Sequence, residues 1–448
     1  MAAGQLAPPS PGRDRERQPA AAAPAGPVVT ATTPDGTTVA LGPASRLTLP
    51  RLSVVPQGEE FLLGDRGTGV FIAVPEVGVL AVRALDGRAT LAEATAAVSE
   101  QVGQPVDVPA FAAVLAETGL VVAVDGRPLT PDRPVRRPSP LDRIPERLLR
   151  PFFSWPAWVL YGLLLAGSLA LVVTVPRFRP TFEDFFFYPN PALCILGVIT
   201  VNTLLSGGHE LAHYLAARAA GVGGRFAISL RWYFPVFETE LTELWAVPRR
   251  KRYSPLLAGM AFDSVVLAGC LTLRLAWSAG LVEPPLLLVR LAALVALTRL
   301  FVLTFQTMVF LRTDLYAVLV TALGNYNLHR VSRLNVRRWT FGLTPEEKAE
   351  LADAHPRDRL VAPWFGLLIL AGILLATWFF VRVFVPSTFV MGGWMLATTT
   401  SAPAHTGAFW QGLMIGVLVL FRGFAPLLVM AWQRLRQAVR GGSTEVAT

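Results

Sequence analysis

The chain has 448 residues, of which 53% are hydrophobic and only 16% charged, with a mean hydropathy of +0.48. Soluble globular domains carry about 25% charged residues, so this composition excludes both an ordinary soluble enzyme and a disordered protein. The formal net charge of +9 is carried largely by basic residues flanking apolar segments, which is a topology signal rather than a nucleic-acid footprint.

Met1–Val28 is rich in Ala and Pro, carries Arg13, Asp14, Arg15, Glu16 and Arg17, and lacks the apolar core of a secretory signal. It reads as part of a disordered tail over 1–44. A small soluble unit follows over 45–127, long enough for its own core. Phe61–Leu63 and Val70–Val74 read as strands, and Val77–Leu85, Thr90–Val102 and Val106–Thr118 as helices. Leu120–Val124 reads as a last strand, with turns at Asp86-Gly87 and Gly103. Arg83, Arg88 and Arg127 make no phosphate track, so no nucleic-acid partner is expected. Residues 128–150, punctuated by Pro and Arg, read as a stiff basic linker to a bilayer.

The remainder, 151–436, reads as a mostly α, polytopic membrane helix bundle of about six spans, followed by a tail over 437–448. The expected spans are Trp155–Val175, Ala192–Leu215, Pro255–Leu281, Leu286–Phe310, Val361–Val381 and Ala408–Trp432. Each is long enough to cross a hydrocarbon core of ~30 Å. Leu315–Leu323 is a shorter apolar run that continues the fourth span after a break. Basic clusters such as Arg147 and Arg150, Arg249 to Arg252, Arg337 and Arg338, and Arg434 and Arg436 alternate with loops poor in Lys and Arg at 176–191, 280–285 and 383–407. By the positive-inside rule both termini face the cytoplasm of a cell membrane. Cys194 and Cys270, the chain's two cysteines, fall inside spans and read as packing residues.

His209-Glu210-Leu211-Ala212-His213 closes the second span and holds two of the chain's five histidines. Residues i and i+4 lie on one helix face, so both imidazoles can reach one metal ion, and Glu210 stands beside it as a general base for activated water. Ionisable groups inside a membrane cost roughly 2.5–3.5 kcal/mol each on insertion scales and are functional by default. HExxH also occurs by chance on polar helix faces, a reading the apolar context of Cys194–Leu205 disfavours. Zinc (Zn2+) needs a third protein ligand, and Asp314 reaches the same cytoplasmic depth at the end of the fourth span. Asp263 is the rival, either orienting a ligand or paired with Arg299 or Arg274. Arg312, beside Asp314, is a candidate for stabilising an oxyanion or for anchoring the cytoplasmic side. His329, His355 and His405 read as loop residues outside the chemistry. Phe226–Phe234, broken by Pro235, has strand or hairpin character, suited to holding a peptide in extended form or to anchoring in the headgroups.

The order HExxH, Gly259-x-x-x-Asp263, then Gln306 and Asp314, resembles the site-2 protease family of intramembrane zinc metalloproteases, nearest to a bacterial branch of peptide zinc metalloproteases. The resemblance covers about Ala192–Leu323. It implies that His209, His213 and Asp314 hold zinc, that Glu210 activates water, and that the substrate is a peptide or membrane protein. The chain departs from the family pattern in having Leu315 for Gly, Gln306 for Asn, Val309 for Pro and Asp263 for Asn. The unit over 45–127 is similar to PqqD-like domains, through Leu80–Leu85 with Asp86-Gly87, Thr90-Leu91-x-Glu93, Val106-Asp107 and Gly119-Leu120-Val121. That implies a winged-helix-like α+β cytosolic domain that recognises precursor peptides in ribosomal peptide maturation or export. The alternative is a non-catalytic membrane scaffold that binds or exports a peptide on a protease fold.

Overall fold

The computed structural model describes residues 28–85, 87–129, 140–231, 234–418 and 431–432. Residues 1–27 of the expected tail over 1–44, Asp86 of the expected turn, 130–139 of the linker, 419–430 of the final expected span and the expected tail at 437–448 lie outside them. The chain divides into two compact units, Met1–Arg136 and Arg137–Thr448.

The first unit opens earlier than the sequence reading placed it. Residues expected in the tail form a hairpin, β1 (Val29–Thr32) and β2 (Thr38–Leu41), in antiparallel register. Short alternating strands with Thr and Gly between them carry little apolar signal, yet Ala31 and Leu41 are fully buried in the unit's core. The sheet β3 (Leu47–Thr48), β7 (Ala123–Val124) and β8 (Arg127–Pro128) is antiparallel, as is a second made of β4 (Leu52–Gln57), β5 (Glu60–Asp65) and β6 (Val70–Val74). Gly64 has to be glycine, because a Cβ there would lie 2.4 Å from the Val70 carbonyl oxygen. The helices are α1 (Glu76–Ala84), α2 (Leu91–Val102) and α3 (Val108–Glu117). The expected start of α2 is a capping box: Thr90 Oγ1 accepts from the Glu93 amide at 3.2 Å and the Thr90 amide donates to Glu93 at 2.8 Å. Leu63, Leu91, Leu115 and Leu120 complete the core.

The second unit is mostly helical. After a short α4 (Glu146–Leu149), helices α5 (Trp155–Thr174), α6 (Pro191–Ala219), α7 (Arg249–Ser278) and α8 (Leu286–Gln306) are each long and apolar enough to cross a membrane. They expose large apolar side chains such as Leu163, Leu204 and Phe301, as a lipid-facing surface would. Helix α7 packs against α5, α6 and α8. Its apolar stretch is 44% buried against 6% in α5, so α7 is the centre of the bundle. Buried Ala258, Gly259, Ala261, Ser264 and Ala268 let its neighbours approach closely. Between α6 and α7 the strand-like segment is a hairpin, β9 (Arg225–Arg231) and β10 (Phe234–Glu240), with Pro235 opposite Leu230.

The chain then reverses through a 3-10 turn at Val309–Leu311 into α9 (Asp314–Leu323), the expected short continuation of α8. Amphipathic α10 (Leu328–Thr340) and α11 (Pro345–Asp353) follow. Buried Asp358 clamps the turn between α9 and α10, accepting from the Asn325 side chain at 2.8 Å and the Asn327 amide at 2.9 Å. The expected fifth span is longer than the sequence reading gave. Helix α12 (Pro356–Phe379) runs through a π-turn at Phe380–Phe384 into α13 (Val385–Ser401). The Thr- and Gly-containing stretch read as a loop is helical because Val390, Met391, Trp394 and Met395 keep it apolar. A shorter apolar helix covers Gly407–Leu418, the first part of the sixth expected span. Among the described residues, five helices are thus long and apolar enough to span a bilayer.

Candidate metal centre

The site is assembled from α6, α7, α8 and α9. Asn190 caps α6, its Oδ1 accepting from the amides of Ala192 and Leu193 at 3.0 and 3.2 Å, with Pro191 preset for the first turn. Further along, the same helix presents His209 and His213 one turn apart, both buried, with ring centroids 4.8 Å from each other. Their Nε2 atoms approach to 3.1 Å. Asp314, the first residue of α9, places Oδ2 at 3.1 Å from His209 Nε2 and 3.2 Å from His213 Nε2. The structure thus brings together His209, His213 and Asp314, the three residues read from sequence as ligands, with one atom of each within 3.1–3.2 Å of the others. His209, Glu210 and His213 also offer ligand atoms within 4.8 Å of one another.

These spacings fit a zinc ion. Ligand atoms about 2.0–2.1 Å from one tetrahedral centre lie about 3.3 Å apart. The protons of the donor set argue the same way. His213 Nδ1 lies 2.7 Å from the Pro255 carbonyl oxygen, an acceptor only, so the ring proton belongs on Nδ1 and the Nε2 lone pair faces inward. His209 Nδ1 lies 2.7 Å from Asp263 Oδ2, which fixes the same tautomer. Two lone pairs and a carboxylate oxygen then face one another, an arrangement that a cation relieves. Gly259 leaves the space for it, since a Cβ there would fall 2.3 Å from His209 Nε2 and 2.5 Å from His213 Nε2.

Asp263 lies behind His209, on the Nδ1 side of the ring. Its carboxylate, with no exposure, bonds His209 through Oδ2 and Arg299 through Oδ1 at 2.8 Å. Arg299 in turn donates to Asn202 Oδ1 at 2.8 Å. The two alternatives read from sequence, an orienting acid and an ion pair with Arg299, are one arrangement. Burying Arg299 and Asp263 is tolerable because each neutralises the other's charge; removing either partner of such a pair costs about 3–5 kcal/mol.

Gln306, the last residue of α8, rebuilds the turn that brings Asp314 back. Its Nε2 donates to Asp314 Oδ2 at 2.8 Å and its Oε1 accepts from the Asp314 amide at 3.0 Å. Thr313 Oγ1 donates to the Gln306 carbonyl at 2.7 Å. Arg312 makes the reversal with φ +59°, a left-handed conformation uncommon outside glycine. Leu315, beside Asp314, is half-buried and takes no part in the wall of the adjoining cavity.

Glu210 and His213 open onto a cavity of about 590 Å³ that also includes Asp314, Thr239 and Arg312. Thr239, on β10, donates through Oγ1 to Glu210 Oε2 at 2.8 Å. Sequence reasoning did not find Thr239, because only the hairpin register brings it to the helix. His329, read as a loop residue, lies in α10 and lines the same cavity. His355 caps α12, accepting from the Arg357 amide at 3.2 Å. Comparison of the chain with protein-family models, with curated proteins and with solved structures finds no match.

Proposed function

We propose that the protein is a membrane-embedded zinc metalloendopeptidase of the site-2 protease type, in which His209, His213 and Asp314 hold Zn2+ and Glu210 is the catalytic base. The observation that carries this reading is the meeting of two Nε2 atoms and one carboxylate oxygen within 3.1–3.2 Å beside a glutamate on the same helix. A zinc ion held there supplies a Lewis acid for the scissile carbonyl and acidifies water. Asp263 and Pro255 hold the two rings in one tautomer and orientation, so the ligand set is arranged before any substrate arrives. The Thr239 hydroxyl occupies Glu210 Oε2, leaving Oε1 to take the proton as a water oxygen adds to the carbonyl carbon. The same carboxyl group then returns that proton to the amine nitrogen as the C–N bond breaks.

The first unit is proposed as a PqqD-like, winged-helix-like peptide-recognition domain, which makes a ribosomally made precursor peptide the candidate substrate in maturation or export. About six spans in a cell membrane, with both termini cytoplasmic, complete the proposal, and the five long apolar helices support its membrane part. Glu210→Gln keeps every ligand. It should therefore retain stoichiometric zinc by metal analysis while peptide cleavage falls about a hundred- to ten-thousandfold, the usual worth of a general base. Cleavage at the parental rate would remove Glu210 from the role. A non-catalytic scaffold would need no bound zinc, and purified wild-type protein that never retains it would support that reading instead.

A further inference from the structure

Beside Glu210, His213 and Asp314 the cavity wall is otherwise uncharged except for four arginines; of these, Arg252 is buried and bonded to the carbonyls of Val247 and Trp245. Arg312 comes from the reversal before α9, and Arg330 and Arg333, three residues apart on one face of α10, come from the opposite side of the chain turn. The acids of the wall are Glu210 and Asp314, both committed to the metal centre. Arg330 is held by Glu350 through two hydrogen bonds of 2.8 and 2.7 Å. Among the described residues, no carboxylate lies within ion-pair distance of Arg312 or Arg333. Half-buried His329 lies beside both, and its imidazole is pushed down to about 4 by burial, by Arg312 and by Arg333. It is therefore neutral near pH 7 and adds no charge of its own.

Arg312 and Arg333 are exposed arginines on the wall of one partly enclosed cavity, and each guanidinium is a planar, permanently charged fork that matches a carboxylate. The volume lies within the range of about 300–1,000 Å³ usual for ligand pockets. Resting on the hydrolase reading, we propose that Arg312 and Arg333 form a carboxylate-binding subsite that selects peptides carrying an acid close to the scissile bond, either an Asp or Glu side chain or the free C-terminus. Anionic lipid headgroups are the other anions that cations at a bilayer surface meet. The wall's continuity with Glu210 and Asp314 favours a substrate group over a headgroup.

The test reads binding, not turnover. Zinc-loaded Glu210→Gln protein in phosphatidylcholine nanodiscs is titrated with a fluorescent alanine-leucine octapeptide bearing one Glu, and with its Gln counterpart. Each is supplied with a free and with an amidated C-terminus, so the two sources of the carboxylate are separated. One of the two carboxylate sources should bind about tenfold tighter than its neutral counterpart, the worth of about one charge-assisted hydrogen bond. Adding R312Q and R333Q together should erase that preference with zinc content unchanged. Equal binding of all four peptides overturns the proposal, as does a preference that survives the double substitution. So does a double variant that loses binding to phosphatidylglycerol bilayers while its peptide affinities stay the same. Should the double variant fail to fold, the comparison of four peptides on the unsubstituted wall still decides. Failure of the hydrolase reading would show separately, as zinc-loaded wild-type protein that cleaves no peptide.

Discussion

Gly259 has no side chain, and the centre depends on that. The position facing both His209 and His213 Nε2 is where an alanine methyl would fall. Gly259→Ala is therefore expected to abolish stoichiometric zinc while the helical circular dichroism stays near wild type; a zinc-replete Gly259→Ala protein would contradict the space argument. Arg299 offers a second case. With its side chain 1% exposed and bonded to a fully buried Asp263, its replacement by Met leaves an unpaired buried carboxylate behind His209. Thermal and chelator titrations should show a loss of about 3–5 kcal/mol of stability and a zinc affinity about 10–100-fold weaker. Wild-type zinc affinity in Arg299→Met would show that Asp263 needs no counter-charge to orient the ring.

Much of this residue-level chemistry was legible in the sequence. The i, i+4 spacing of His209 and His213 follows from helix geometry alone, and the meeting of Asp314 with them was expected from an assumed common depth. Asp263 was legible only as a choice between two roles, because sequence gives its depth but not that both of its oxygens find partners. Gln306 stood out as a departure from a family pattern. The structure shows it making two bonds to Asp314, contacts that its side chain can reach only once the 3-10 turn has folded back.

Among the elements, the β9–β10 hairpin carries more chemistry than its composition suggests. Its register places Thr239 opposite Phe226, and Thr239 reaches Glu210 on α6. Thr239→Val removes the hydroxyl and nothing else of that shape. Peptide turnover should fall roughly tenfold, the worth of one charge-assisted hydrogen bond, with zinc stoichiometry preserved; unchanged turnover would leave Glu210 without need of that contact. Strand character between α6 and α7 was readable from aromatic and β-branched residues. Which residue faced the base was not, since a shift of one position in register exchanges the two faces. Hairpin β1–β2 escaped notice for a related reason: it buries only a few small or single apolar residues, and its signal lies in contacts with α3 rather than in its own pattern.

For the whole molecule, the five long apolar helices and the basic clusters beside them define a sidedness that can be measured. Starting from a background without Cys194 and Cys270, a single cysteine at Glu283 should react with a membrane-impermeant maleimide added to intact cells. One at Gly342 should react only after the cells are opened. Reaction of both from outside would overturn the proposed orientation. The fifth long helix shows where hydropathy reading fails: windows tuned to about 20 residues stop at Val381, whereas the helix runs to Ser401 across a π-turn that leaves no break in the sequence pattern.

His209 and Asp314 stand 105 residues apart in the chain. A nascent polypeptide that has threaded α6 through the bilayer carries both imidazoles but lacks the acid that joins them, and Arg299, which neutralises Asp263, also arrives later. On the proposed hydrolase reading the centre is thus born late: synthesis interrupted anywhere before α9 leaves the two imidazoles without Asp314, and the three-atom cluster closes only when that residue emerges.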